Sequence, residues 1–322
     1  MKRLYGIAGL IALLGAALLG VGLLMLRGSS VERRGFSTTS FKERVFESNT
    51  VKDIEIKESY ESVIIEKGDT DKLTIRYYVP ENEDNVSVSE NNGLVKFERK
   101  KTKINNYLSI NMQDTSTVVT LPKDYKGTVD ASATSGTVRI KDIQCEDLAV
   151  TTSSGSIQLE NVVSDKSAEI VVTSGAIKIS SLTASNDVSV TALSGSIGIE
   201  NITCNNLGVE DTSGSVKVAN ATGKTASFEA SSGSTELDNV SFDDKVNISA
   251  SSGSIHFEAL KSNNISAEAS SGSIKGTIAG KQSEYSVISK TSSGSCNLEN
   301  TREGNKILDV KTTSGSINVS FD

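Results

Sequence analysis

The sequence predicts an all-β protein: a parallel β-solenoid, β-helix-like, of about ten coils, preceded by irregular β coils and an N-terminal transmembrane helix. Two observations predict the solenoid. A Ser-Gly-Ser tripeptide or close variant recurs ten times, with glycines at Gly136, Gly155, Gly175, Gly195, Gly214, Gly233, Gly253, Gly272, Gly294 and Gly315, 19 to 22 residues apart. So short and constant a period describes coils that bury their apolar side only against the coils above and below. Apolar residues two apart flank each glycine, as in Ile157 and Leu159 or Ile197 and Ile199 after it, and Val188 and Val190 before it. That is the period of a strand with one buried face. A third observation predicts the helix: Leu4 to Leu26 is a run of 23 residues without a charge, long enough to span a bilayer.

In chain order, residues 1–27 read as an uncleaved transmembrane signal anchor with a short N-terminal flank. Ala8, Ala12, Ala16 and Gly20 lie four apart on one face of that helix, a spacing that lets two such helices pack closely. A short N-terminus before a single span is read as cytoplasmic, so the rest of the chain is expected outside, on a single-pass protein of the cell membrane. Residues 28–50 are polar and read as a tether. Residues 51–131 are β-rich but irregular, with alternation at Ile54/Ile56, Leu73/Ile75/Tyr77, Val95/Phe97 and Val119/Leu121, and an Asn92-Gly93 hairpin turn. They are expected to form irregular coils that cap the N-terminal end of the solenoid, the alternative being a small separate β domain. Residues 132–322 are the regular repeats. Each coil is expected to hold two strands, one on either side of the glycine. The glycine either takes a positive φ or admits a neighbouring coil where a Cβ would not fit.

Six residues past the glycine stand Asn161, Asn201, Asn220, Asn239 and Asn300. Stacked coils align these side chains, which predicts a structural ladder of amide hydrogen bonds. Large residues along the strands and small ones such as Ala192, Ala230 and Ala250 three before the glycine predict a section narrowing toward the Ser-Gly-Ser vertex.

A membrane anchor, irregular strands, a Leu121-Pro122 step before the first repeat, and repeated Ser-Gly-Ser-Ile with a trailing Asn together resemble a bacterial β-strand-repeat family of unknown function labelled "putative adhesin". The resemblance covers about residues 51–322. It implies a β-solenoid facing outward in the bacterial cell envelope, and it carries no catalytic motif to transfer.

Composition excludes several classes. The chain carries −7, and its first 34 residues hold five basic and one acidic side chain, which leaves −11 on the remainder; nucleic acid is not an expected partner. No tryptophan is present and aromatics make up 5%, too few for an extended sugar-stacking platform. His256 is the sole histidine and falls on an outward position, so neither a histidine-centred triad nor a multi-histidine metal site is available. Glu160, Glu200, Asp238, Glu258 and Glu299 form an outward carboxylate row, and near-constant coil length leaves no long loops to build a cleft around it. No cofactor and no enzymatic activity are expected. Cys145 and Cys204 lie three coils apart, beyond disulfide reach, and Cys296 replaces a core isoleucine; all three are read as small buried hydrophobes.

Two surface features remain. A hydroxyl file runs two residues before the glycines, from Thr134 and Ser153 to Ser292 and Thr313, interrupted by Leu193. Lys96, Arg99, Lys100, Lys101 and Lys103 place five bases within eight residues, a candidate anionic-surface site for lipid headgroups or a wall polymer. The function read from the sequence is a membrane-anchored, non-catalytic adhesion or scaffold module of the cell envelope. A sensor or regulator of envelope stress that binds a protein partner is the competing class, and a glycan-active enzyme the third. The sequence does not fix oligomeric state.

Overall fold

A computed structural model describes residues 39–80, 85–100 and 115–322. The expected anchor, residues 28–38 of the tether, Lys101 and Lys103 lie outside the described residues. Among the described residues no helix is long and apolar enough to cross a membrane.

The repeats form stacked coils whose strands pair in parallel, in register apart from shifts between Gly223 and Thr225 and between Phe257 and Leu260. Val188 sits beside Ala168 and Leu207, and Ile197 beside Ile177 and Val216. Inward residues on both sides of the glycine are buried, among them Ile170, Val190, Ile197 and Val218. The glycine marks a close approach in every regular coil. A Cβ on Gly195 would stand 1.6 Å from the carbonyl oxygen of Gly175, and one on Gly233 1.5 Å from that of Gly214. At Gly175, Gly195, Gly233, Gly294 and Gly315 the backbone also takes positive φ, between 141° and 155°, so at these five both explanations hold together.

The coils of Gly136 to Gly233 hold one strand segment more than expected. After the Asn position a short third strand follows, as at Gln144–Cys145, Val162–Ser164 and Leu182–Ala184, again paired in parallel with the next coil. Its inward residues Val162, Leu182, Ile202 and Val240 are buried, and they make the section three-sided. The turn into this strand is made by the ladder residue itself: Asp142, Asn161, Asn201, Asn220 and Asn239 have φ between 52° and 58°. Asn and Asp tolerate this left-handed conformation better than other non-glycine residues. Asn239 Nδ2 donates to Asn220 Oδ1 (2.8 Å), Asn220 Nδ2 to Asn201 Oδ1 (3.1 Å) and Asn161 Nδ2 to Asp142 Oδ1 (2.9 Å). Asn300 stands apart from this file. Its Oδ1 accepts from the Ser289 N–H at 2.7 Å.

The irregular region belongs to the same stack. β1 (Thr39–Glu47), β2 (Asp53–Glu58), β3 (Val63–Lys67), β4 (Lys72–Pro80), β5 (Val86–Asn91), β6 (Leu94–Arg99), β7 (Thr117–Leu121), β8 (Val129–Ala133) and β9 (Val138–Lys141) lead into the repeats. β2 lies between β6 and β8, and β3 between β7 and β9, all parallel. Spatial order therefore differs from chain order: the coil of β2 and β3 is intercalated between the later coil of β6 and β7 and the first regular coil. Antiparallel β5, β4 and β1 finish this end. The expected tether thus stops short of Thr39. β1 escaped the sequence because its side chains are largely exposed; it is a strand by virtue of pairing with β4. The hairpin between β5 and β6 turns on Asn92 and Gly93 with φ of 54° and 90°.

The C-terminal end repeats the device. The strand Lys306–Ser314 inserts between Asn264–Ser271 and Tyr285–Ser293, and Ile317–Phe321 pairs with Ile274–Ile278. The coil carrying Gly294 is therefore outermost, although a later coil follows it in the chain. This displaces Cys296, which is exposed and not a core residue: no coil stacks beyond it. Cys145 and Cys204 are buried, and burial pushes both thiols up to about 12.

Candidate binding surface

The Ser-Gly-Ser vertex is the most regular surface of the molecule. At the Gly195, Gly214 and Gly233 coils the two residues before the glycine and the one after it are exposed. Ser174 pairs in register with Ser194, Ser213 with Ser232, Ser232 with Ser252, Ser252 with Ser271, and Ser271 with Ser314. Parallel pairing spaces such residues by about 4.8 Å. The glycine column lacks Cβ atoms, so it forms a floor between serine files on either side. The file two residues before the glycine, singled out in the sequence, is thus one of three. The two that adjoin the glycine were present in the repeat itself, but their shared exposure follows only from the vertex geometry. Leu193 breaks the outer file and is 52% exposed. In the file after the glycine, Ser156 and Ser273 hydroxyls accept from the N–H groups of Ala176 and Ser316, at 3.4 and 3.3 Å.

Within the basic cluster, Arg99 is not a surface residue. Arg99 is buried, its Nε 2.8 Å from Glu58 Oε1 and its Nη1 donating to the Tyr78 carbonyl at 2.9 Å. Glu58 also accepts from the Ser59 N–H (2.9 Å) and from the Thr117 hydroxyl (2.8 Å). Glu58 is in register with Ala133, at the inward vertex position that regular coils fill with small residues. The pair closes the N-terminal end of the stack and is structural. Lys96 is ion-paired with Glu55, which also meets Lys57; Lys57 first and then Lys96 hold the Glu55 carboxyl below its ordinary range. Of the five bases, Lys96 and Lys100 are exposed among the described residues.

Other chemistry-bearing groups are dispersed. His256 Nε2 lies 3.3 Å from Glu258 Oε1 on the outer face. Asp238 and Glu258 are register neighbours, but Glu160 and Glu200 stand two coils apart with Ser180 between them. Among the described residues no group of three His, Cys, Asp or Glu could hold a metal. A groove of about 490 Å³ runs beside Val51, Lys52, Pro122 and Lys126. Three of its four acids are already engaged: Asp71 with Lys123 at 3.1 Å, Glu146 with Lys166 at 2.5 Å, and Asp53 accepting from the Thr128 N–H at 2.9 Å.

These features define a class, the stacked-coil β-solenoid whose surface is written by its repeat. The chain belongs to the Toastrack DUF4097 family, whose model matches residues 51–186 and again 183–322. No curated protein matches it. It is similar to the solved structure of a "putative adhesin" from Bacteroides fragilis (15% identity, TM-score 0.39, covering 89% of this chain and 99% of that one). It is similar also to a "putative lipid binding protein" from Parabacteroides distasonis (18%, 0.39, 87% and 96%). A "putative cell adhesion protein" from Clostridium sporogenes matches at 12%, with a TM-score of 0.25, over 88% and 100%.

Proposed function

We propose that this protein is a non-catalytic binding module of the cell envelope, held at the membrane by its N-terminal apolar run and facing outward. Its contact surface is the Ser-Gly-Ser strip, and its ligand an extended wall polymer. The strip carries the proposal: three hydroxyl files around a glycine floor repeat at one spacing along the stack. Such a surface offers hydrogen-bond donors and acceptors at fixed intervals, which suits a chain with its own polar repeat better than a small molecule needing enclosure. The apolar run of residues 4–26 and the family membership support an envelope location.

The test is co-pelleting of the full chain, in detergent, with purified wall sacculi. Ser194, Ser213 and Ser232, all exposed, are replaced together by Lys so that long side chains cover the floor. Binding by the wild type and loss in the triple variant, with unchanged circular dichroism, supports the strip. Absence of pelleting by the wild type, or equal pelleting by the variant, overturns it and favours a protein partner.

A further inference from the structure

Among the described residues β1 pairs with β4 alone, and its outer face is apolar at two points. Phe41 and Val45 are 51% and 50% exposed, four residues apart and so on the same face. Phe41 packs edge-on against Tyr78, ring centroids 5.6 Å apart, and Val45 lies across from Thr74. The charged residues of this face oppose each other in sign: Glu43 is in register with Arg76, and Glu47 is paired with Lys72 at 3.1 Å. On the other face of β1, Lys42 and Arg44 are exposed and make no ion pair among the described residues. The ribbon therefore combines an aromatic-aliphatic patch, local charge balance and two unpaired cations.

That combination fits the boundary between headgroups and acyl chains of a bilayer, where aromatic rings settle and cations meet anionic headgroups. Chain length points to the same partner. Residues 27–38, twelve in number, separate the apolar run from Thr39, a contour of at most about 43 Å. Phe41 and Val45 are thus among the described residues nearest in sequence to that run. We propose that the β1–β4 ribbon docks on an anionic bilayer by the edge of β1 that no described strand pairs, where side chains of both faces meet the surface, Phe41 and Val45 entering the interface while Lys42 and Arg44 reach its phosphates. The inference rests on the membrane-anchor reading above and adds a defined contact to it.

The chain has no tryptophan, so Phe41→Trp provides a single fluorescent reporter. Ile288→Trp, at a 47% exposed position near the opposite end of the stack, is the control. Each full-length variant is reconstituted into vesicles of phosphatidylcholine and phosphatidylglycerol, with and without brominated acyl chains, and floated on a density gradient. Docking predicts that Phe41→Trp emits at shorter wavelength than the control and loses more intensity in brominated lipid. It also predicts that Tyr78→Trp is quenched in the parent, and that this quenching is lost when Phe41→Ser and Val45→Ser are added. Flotation with equal quenching of Phe41→Trp and Ile288→Trp overturns the docking alone. A chain that fails to float overturns the anchor reading and the docking with it.

Discussion

Asp211 occupies the inward vertex position that coils on either side fill with Ala192 and Ala230, and it is buried. In three other coils this position holds threonine, and each hydroxyl donates to a glycine carbonyl: Thr152 to Gly155 (3.0 Å), Thr291 to Gly315 (2.9 Å) and Thr312 to Gly272 (2.9 Å). An ionised carboxylate has no proton to donate. Asp211 Oδ1 accepts from the Ser213 N–H at 2.9 Å, while Oδ2 has no hydrogen-bond partner. Burial raises the carboxyl above its ordinary range, so the folded state disfavours the charge relative to the unfolded chain, where the value is about 3.9. The sign follows: the penalty is fully present above the raised value, shrinks as pH falls through it, and vanishes below the unfolded value. Asp211→Asn keeps the acceptor and removes the charge. It is expected to be more stable than the wild type by about 1 kcal/mol at pH 7–8, with the gap closing below about pH 4. Urea melts across pH measure this, and a pH-independent gap would show that ionisation is not its cause. Ala259 shows the converse economy at the Asn position, where it adopts φ of 49° without an amide to extend the ladder.

At the scale of one coil, two kinds of corner divide the work. The glycine vertex is set by sterics, because each Cα lies under the carbonyl of the preceding coil. The Asn corner is set by local conformation and reinforced by hydrogen bonds along the stack. The first was legible in the sequence because only one residue type satisfies it. The second was legible as a ladder but not as a turn, and the third strand it opens went unread. Its second inward position varies in size and polarity, from Cys145 and Ser164 to Ala184 and Phe242, so the strand carries one repeating apolar residue and no alternation. Arg99 was misplaced for a related reason: a base within a basic run reads as surface until Glu58 is known to face it across adjacent coils. The glycine argument yields a direct test. Gly195→Ala places a methyl 1.6 Å from the Gly175 carbonyl oxygen, which forces two coils apart in the middle of the stack. A loss of about 3 kcal/mol or more is expected, comparable with severe overpacking. Ser196→Ala, one residue away on an exposed position, should change stability by less than about 0.5 kcal/mol. Equal melting of the two variants would refute the close approach.

Over the whole molecule, a solenoid must protect two open ends, since exposed strand edges recruit other strands. Here both ends are finished by departing from chain order. Sequence periodicity did not foretell this, because the copies at Gly294 and Gly315 carry the same motif and read as consecutive coils. The only local trace is the pair Cys296 and Asn297, where neighbouring coils place an inward isoleucine and an outward residue. Asn297 proves to be a cap: its Nδ2 donates to the Val319 carbonyl (2.8 Å) and its Oδ1 accepts from the Val319 N–H (2.9 Å). Asn300 and Thr301 act similarly on the edge of Tyr285–Ser293, Thr301 N–H donating to the Val287 carbonyl at 3.0 Å.

Intercalation inverts the usual relation between chain position and fraying. A terminal segment ordinarily opens first, yet Lys306–Ser314 is paired on both edges, whereas Tyr285–Ser293 is paired with a strand on one edge only. Opening the last strands requires release of the coil stacked outside them. Amide hydrogen exchange, which ranks segments by opening free energy, should therefore find residues 306–314 more protected than residues 286–293, and residues 296–304 least protected of the three. Deleting residues 304–322 should cost two coils, because Tyr285, 1% exposed in the intact protein, loses the strand it packs against. Peptide-resolved exchange decides the matter. If protection instead falls steadily toward the C-terminus, the final coil is outermost and the chain stacks in simple sequence order.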